Sequence, residues 1–159
     1  MGSLNGVAFE DTAFVITAEA DTDNIGPWAD NANFQNTHSS ATIELSGLGS
    51  FTFIDPTHTW IAEGCCMGIG ADLSLNYLTL FDPGIVSVGY TLHTAFGPVI
   101  TFAASTQDQF VDIATSGGAL TISFVLFSTF EAQTVPEPAT AALLGLGLLG
   151  LGLTRRRAN

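Results

Sequence analysis

The stretch TAFVITAEA, Thr12 to Ala20, sets Phe14, Ile16 and Ala18 on one face of an extended chain. That two-residue period belongs to a strand that buries one side. Thr42 to Ser46 repeats the pattern, with Ile43 and Leu45 opposed to Thr42, Glu44 and Ser46. Ala119 to Glu131 alternates Leu120, Ile122, Phe124 and Leu126 against Thr121 and Ser123. Further strands are expected over Ser50 to Ile54, Thr57 to Glu63, Asp72 to Phe81, Ile85 to Thr94 and Val99 to Ala104. Thr, Phe, Val and Ile dominate these runs, as strands favour, and none has helical periodicity. Turns are expected where Gly, Pro, Asn and Asp gather: Asp21 to Asn33, Gly47 to Gly49, Asp55-Pro56, Gly64 to Asp72, Asp82 to Gly84, Gly97-Pro98 and Ser116 to Gly118. The predicted fold is all-β, an antiparallel β-sandwich of jelly-roll-like character.

Composition bounds what such a domain can do. The chain has 159 residues, 47% hydrophobic, with twelve Phe and 11% charged, enough apolar material for one domain with a proper core. It has no Lys, and its three Arg are Arg155, Arg156 and Arg157, so residues 1 to 154 hold all fifteen carboxylates without a compensating Lys or Arg. Binding to a phosphate backbone runs through Lys and Arg, which excludes nucleic acid as a partner of the body and disfavours anionic membranes and phosphorylated substrates. Divalent cations, neutral glycans and cationic partners stay open. The two cysteines are the neighbours Cys65 and Cys66. Ordinary disulfides place their Cα atoms farther apart than neighbours in a trans chain, so free thiols or pairing with another chain are expected. No zinc-ligand spacing surrounds them.

Beyond residue 134 the sequence changes character, reading VPEPATAALLGLGLLGLGLTRRRAN. Pro136 and Pro138 hold the chain extended around Glu137 and present it. Ala139 to Leu153 is apolar apart from Thr140, which as a helix demands a core or a membrane. It would span about 22 Å, short of a hydrocarbon layer of about 30 Å. Arg155 to Arg157 follow directly as a cytoplasmic anchor that snorkels and extends the usable length. Gly145, Gly147, Gly150 and Gly152 would weaken a helix in water but are common in membrane helices. Gly145 to Gly150 also spells G-x-G-x-x-G, but a dinucleotide site needs a strand before it and a helix and an acidic residue after it, which cannot fit so near the end.

This order of Pro136-Glu137-Pro138, apolar Ala139 to Leu153 and Arg155 to Arg157 resembles the PEP-CTERM sorting signal. The resemblance implies recognition and cleavage by the transpeptidase-like membrane protease called exosortase, in Gram-negative bacteria that make extracellular polysaccharide. It implies an exported protein, inner-membrane anchored for a time through residues 139–153 with its N-terminal body outside, and then passed to the cell surface or extracellular matrix. The chain is accordingly read as a body, residues 1–134, and a sorting signal, residues 135–159. The opening GVAFEDTAFVITAEADTDNI is similar to the start of some secreted β-proteins with that signal. Export calls for a basic and then apolar leader, and MGSLNGVAFED has neither, so a start placed too late or a fragment is expected.

The body holds few candidates for chemistry. Asp21, Asp23, Asn24 and Asp30 offer the hard oxygen ligands that calcium prefers, although the EF-hand pattern fails at Ile25. His38, His58 and His93 lie in separate segments without metal-site spacing, and no nucleophile motif occurs. The expectation is a protein that is no enzyme and needs no cofactor, calcium apart. Trp28, Trp60 and Tyr77 could stack on sugar rings, which would make exopolysaccharide a partner. A glycan- or calcium-binding module is therefore the second reading. A secreted hydrolase is the third, since glycosidase carboxylate pairs are defined by distance in space.

Overall fold

The computed structural model describes residues 1–28, 30–62, 65–71, 76–81, 89–101, 104–105 and 110–135. In chain order the strands are β1 (Gly2–Leu4), β2 (Val7–Phe9), β3 (Phe14–Trp28), β4 (Asp30–Leu45), β5 (Gly49–Thr52), β6 (Thr57–Ala62) and β7 (Cys66–Ala71). They continue with β8 (Asn76–Phe81), β9 (Phe96–Thr101), β10 (Ala104–Ser105), β11 (Ile113–Thr115), β12 (Gly118–Ile122) and β13 (Ser128–Ala132). The described residues are all-β and their strand pairs are antiparallel.

The larger sheet runs β10-β8-β7-β6-β4-β3, with β5 also paired to β4. Its spine is the hairpin of β3 and β4, where Phe14 faces Leu45, Ile16 faces Ile43 and Ala18 faces Ala41, so the two alternating runs of sequence meet face to face. A smaller sheet runs β11-β12-β1-β2, and β9 with β13 forms a separate two-stranded ribbon. Both sheets and the ribbon contribute to one core. Ile43 and Leu45 meet Ile113, Leu120 and Ile122 there, with Phe53 and Phe110 also enclosed and Phe96 and Phe130 packed against them. Cross-links join the sheets at one edge: Ile54 N–H donates to the Ala114 carbonyl (3.0 Å) and Ser116 N–H to that of Thr52 (2.9 Å).

Several turns fall where sequence placed them. Leu48 N–H closes the Gly47 to Gly49 turn onto the Leu45 carbonyl at 2.9 Å. At Ser116 to Gly118 the Thr115 hydroxyl donates to the Gly118 carbonyl at 2.7 Å. The structure corrects others. Gly64 to Asp72, expected as a turn, contains β7. Ile85 to Thr94 was expected as a strand; residues 85–88 lie outside the described residues, and from Gly89 the chain is a loop closed by the Tyr90 hydroxyl donating to the Thr94 carbonyl at 3.0 Å. Tyr90 stacks on Phe96, ring centroids 4.2 Å apart, and this holds the loop to the ribbon. Ala119 to Glu131 divides into β12 and β13. Gly97-Pro98 lies inside β9 instead of in a turn. Among the described residues β9 pairs only with β13, so Pro98 can lack an amide donor there without breaking a second ladder.

Candidate functional site

The calcium candidates sit at an irregularity in the β3–β4 hairpin. Ala20 faces His38 and Ile25 faces Asn36, so residues 21–24 bulge out opposite Thr37. Asp21, Asp23 and Asn24 are exposed there, and the Asp23 amide donates to Asp21 Oδ1 at 2.9 Å, an Asx turn that lets the chain loop out and rejoin the ladder. Asp30 begins β4, and its side chain lies outside the described residues. The structure thus brings Asp21 and Asp23 together and continues β3 and β4 through most of the stretch expected as a loop. Among the described residues, no three His, Cys, Asp or Glu side chains gather to hold a metal ion.

A more enclosed polar group lies one pair along the same strands. His38 of β4 points its ring at β6: Nδ1 is 2.8 Å from Thr57 Oγ1 and Nε2 is 2.8 Å from Thr59 Oγ1. A neutral imidazole donates through one nitrogen and accepts through the other, so one threonine hydroxyl accepts from the ring and the other donates to it. Burial, reinforced by the charge that His58 can carry, lowers the His38 pKa from 6.5 to about 4 and keeps the ring neutral. Asn36, 6% exposed and opposite Thr59 in register, extends this polar strip, and its Oδ1 has no hydrogen-bond partner among the described residues.

The strip borders an open cleft of about 250 Å³ lined by His38, Ser39, Ser40, Phe53, Asp55 and Thr57 among others. Its chemistry is limited. Both ring nitrogens of His38 are engaged, and an imidazole held near pKa 4 is a weak base at neutral pH. His93 makes local contacts, from Nδ1 to the Thr91 carbonyl (2.9 Å) and hydroxyl (3.1 Å). The His38 group acts as a clamp that fastens β4 to β6 across the sheet.

The aromatic candidates are corrected at Trp60. It is 2% exposed, so it offers no platform to a sugar ring. It faces Gly68 across the β6–β7 ladder, where a Cβ would stand 2.7 Å from Trp60 Cζ2. The side chains of Trp28 and Tyr77 lie outside the described residues. The cysteines are also corrected: Cys65 and Cys66 are bonded to each other, their Cα atoms 3.7 Å apart at the head of β7.

The sorting residues Pro136, Glu137, Pro138 and Arg155 to Arg157, with the expected helix over 139–153, lie outside the described residues. Among the described residues, no helix is long and apolar enough to cross a membrane. β13 ends at Ala132, so the fold delivers the chain to this segment from the ribbon. Residues 134–157 match the family model of the PEP-CTERM protein-sorting motif. No curated protein and no solved structure matches the chain.

Proposed function

From that PEP-CTERM motif we propose that the chain is an exported, non-enzymatic protein of the cell envelope or extracellular matrix, a β-sandwich body followed by a transient membrane anchor. Pro136-Glu137-Pro138 is the segment presented to an exosortase-type membrane protease. Ala139 to Leu153 crosses the inner membrane as a short helix, and Arg155 to Arg157 remain in the cytoplasm. The observation that carries this reading is the motif match at residues 134–157, which coincides with the ordered proline, apolar and arginine segments. The charge distribution supports the orientation. The only Lys or Arg side chains stand at one end of the apolar run, where the positive-inside rule places them, and the carboxylates all lie before it.

The test is the mass and location of the chain, with an export signal fused upstream, in a host that makes exosortase, beside a variant with Pro136→Ala, Glu137→Ala and Pro138→Ala. The wild type should lose its tail and leave the membrane fraction, while the variant stays full length and membrane-bound. If both are retained uncut, the tail is a plain anchor. If neither associates with membrane at any stage, the apolar segment is no anchor and the reading fails.

A further inference from the structure

Between β12 and β13 the chain turns apolar residues outward. Phe124, Leu126 and Phe127 are 55%, 69% and 62% exposed, while Val125 between them is 8% exposed and belongs to the core. Burying Val125 fixes the loop and commits its neighbours to solvent. Two neighbouring segments enlarge the surface. Ser123 N–H donates to the Met1 carbonyl at 3.0 Å and Ile122 N–H to that of Phe110 at 2.9 Å, which brings exposed Met1 and Val111 alongside. No charged side chain occurs from residue 113 to residue 130, and the Met1 ammonium donates to the Phe124 carbonyl at 3.4 Å beside it. A patch of large apolar side chains marks a contact surface.

We propose that this loop is a membrane seat: Phe124, Leu126 and Phe127 enter the interface of a neutral lipid bilayer and lay the anchored body against it. The proposal rests on the anchoring role of residues 139–153. From Phe127 to Ala139 the chain can extend at most roughly 40 Å, so the loop of an anchored molecule is always within reach of the bilayer surface. Three side chains would bind membrane weakly from solution, but the tether makes the contact intramolecular and raises its effective concentration. Aromatic and leucine side chains suit this depth, and with no Lys or Arg in the loop the contact depends more on apolar burial than on attraction to anionic lipid. Seating the body would hold the Pro136 to Pro138 segment close to the membrane surface, where a membrane-embedded protease works.

The experiment uses the full chain in phosphatidylcholine vesicles whose acyl chains carry bromine near the headgroup, with Phe127→Trp compared with Leu48→Trp. Leu48 is 48% exposed in the Gly47 to Gly49 turn of the opposite sheet and serves as the control. Both variants should float with the vesicles, and bromine should remove at least half of the fluorescence added at position 127 while leaving that at 48 unchanged. Salt should not reverse the effect. If both float and position 127 is quenched no more than position 48, the anchor stands and the seat is overturned. If position 127 is shielded from aqueous iodide but not quenched by bromine, and the chains cross-link to one another, a second copy covers the patch and the seat is again overturned. Failure of both variants to float would overturn the anchor and the seat with it.

Discussion

Gly68→Ala is expected to destabilise the body by at least about 3 kcal/mol, the upper end of the range for overpacking a close-packed interior. A Cβ at this position would press on the Leu78 carbonyl oxygen of β8 and stand 2.7 and 2.8 Å from Trp60 Cζ2 and Cε2 of β6. Neither obstacle is the free end of a flexible chain. The carbonyl belongs to the neighbouring backbone, and the ring is 2% exposed with no room to retreat. Trp60→Ala should itself cost about 3 to 5 kcal/mol through the cavity left. The two changes touch the same space, so the double variant should cost clearly less than the sum of the singles. The residual cost reports the Leu78 carbonyl, which removing the ring does not relieve. Chemical denaturation of the four proteins provides the check, and a Gly68→Ala midpoint equal to that of the wild type would mean that β7 does not lie between Trp60 and Leu78 as described.

The same contact explains where the sequence was legible and where it was not. Alternation located the β3–β4 hairpin because each strand buries one face, and the register pairs the residues that alternation selected. Glycine misled the reading at β7. Gly68 and Gly70 favour turns locally, yet Gly68 sits in a strand because a tryptophan from the next strand occupies the place of its side chain, a tertiary demand with no local signal. At Ala119 to Glu131 the alternation was real but ran past the strand's partner. Ile122 faces Gly2, where β1 begins, and beyond that point Phe124 and Leu126 turn outward while Val125 goes in. A missed signal was nevertheless available at Asn5-Gly6. This pair, with φ of 49° and 79°, makes the two-residue turn between β1 and β2, and it is a short-range hairpin cue independent of alternation.

The candidate site divides in the same way. The sorting motif was legible because it is linear: its parts act in sequence order, and no folding is needed to bring them together. The His38 clamp was not, since His38 comes from one strand and its two threonines from another, and they meet only when β4 and β6 pair in their particular register. The vicinal bond of Cys65 and Cys66 escaped because pairing rules drawn from distant cysteines do not describe neighbours.

The His38 clamp should make the body sensitive to mild acid. In the folded chain the ring titrates near pH 4, whereas its ordinary value, which the unfolded chain takes, is 6.5. Above pH 6.5 both states hold the ring neutral and nothing is lost. As pH falls from 6.5 toward 4 the unfolded chain binds a proton that the folded chain refuses, so stability declines with falling pH and the loss levels off below about 4. An interval of this size corresponds to at most roughly 3 kcal/mol, and nearer about 2 kcal/mol once partial solvent access to the ring is allowed for. Proton binding also makes both nitrogens donors, so the threonine hydroxyl that donates to the neutral ring must rotate its hydrogen elsewhere and accept instead. His38→Gln can still bridge to a threonine but cannot titrate. Its stability should therefore fall less between pH 7 and 4 than that of the wild type, by about 2 kcal/mol, whatever its level at neutral pH. Urea unfolding of both proteins across this range isolates the histidine, because the carboxylates are common to both. Parallel curves would show that His38 is not held neutral between β4 and β6.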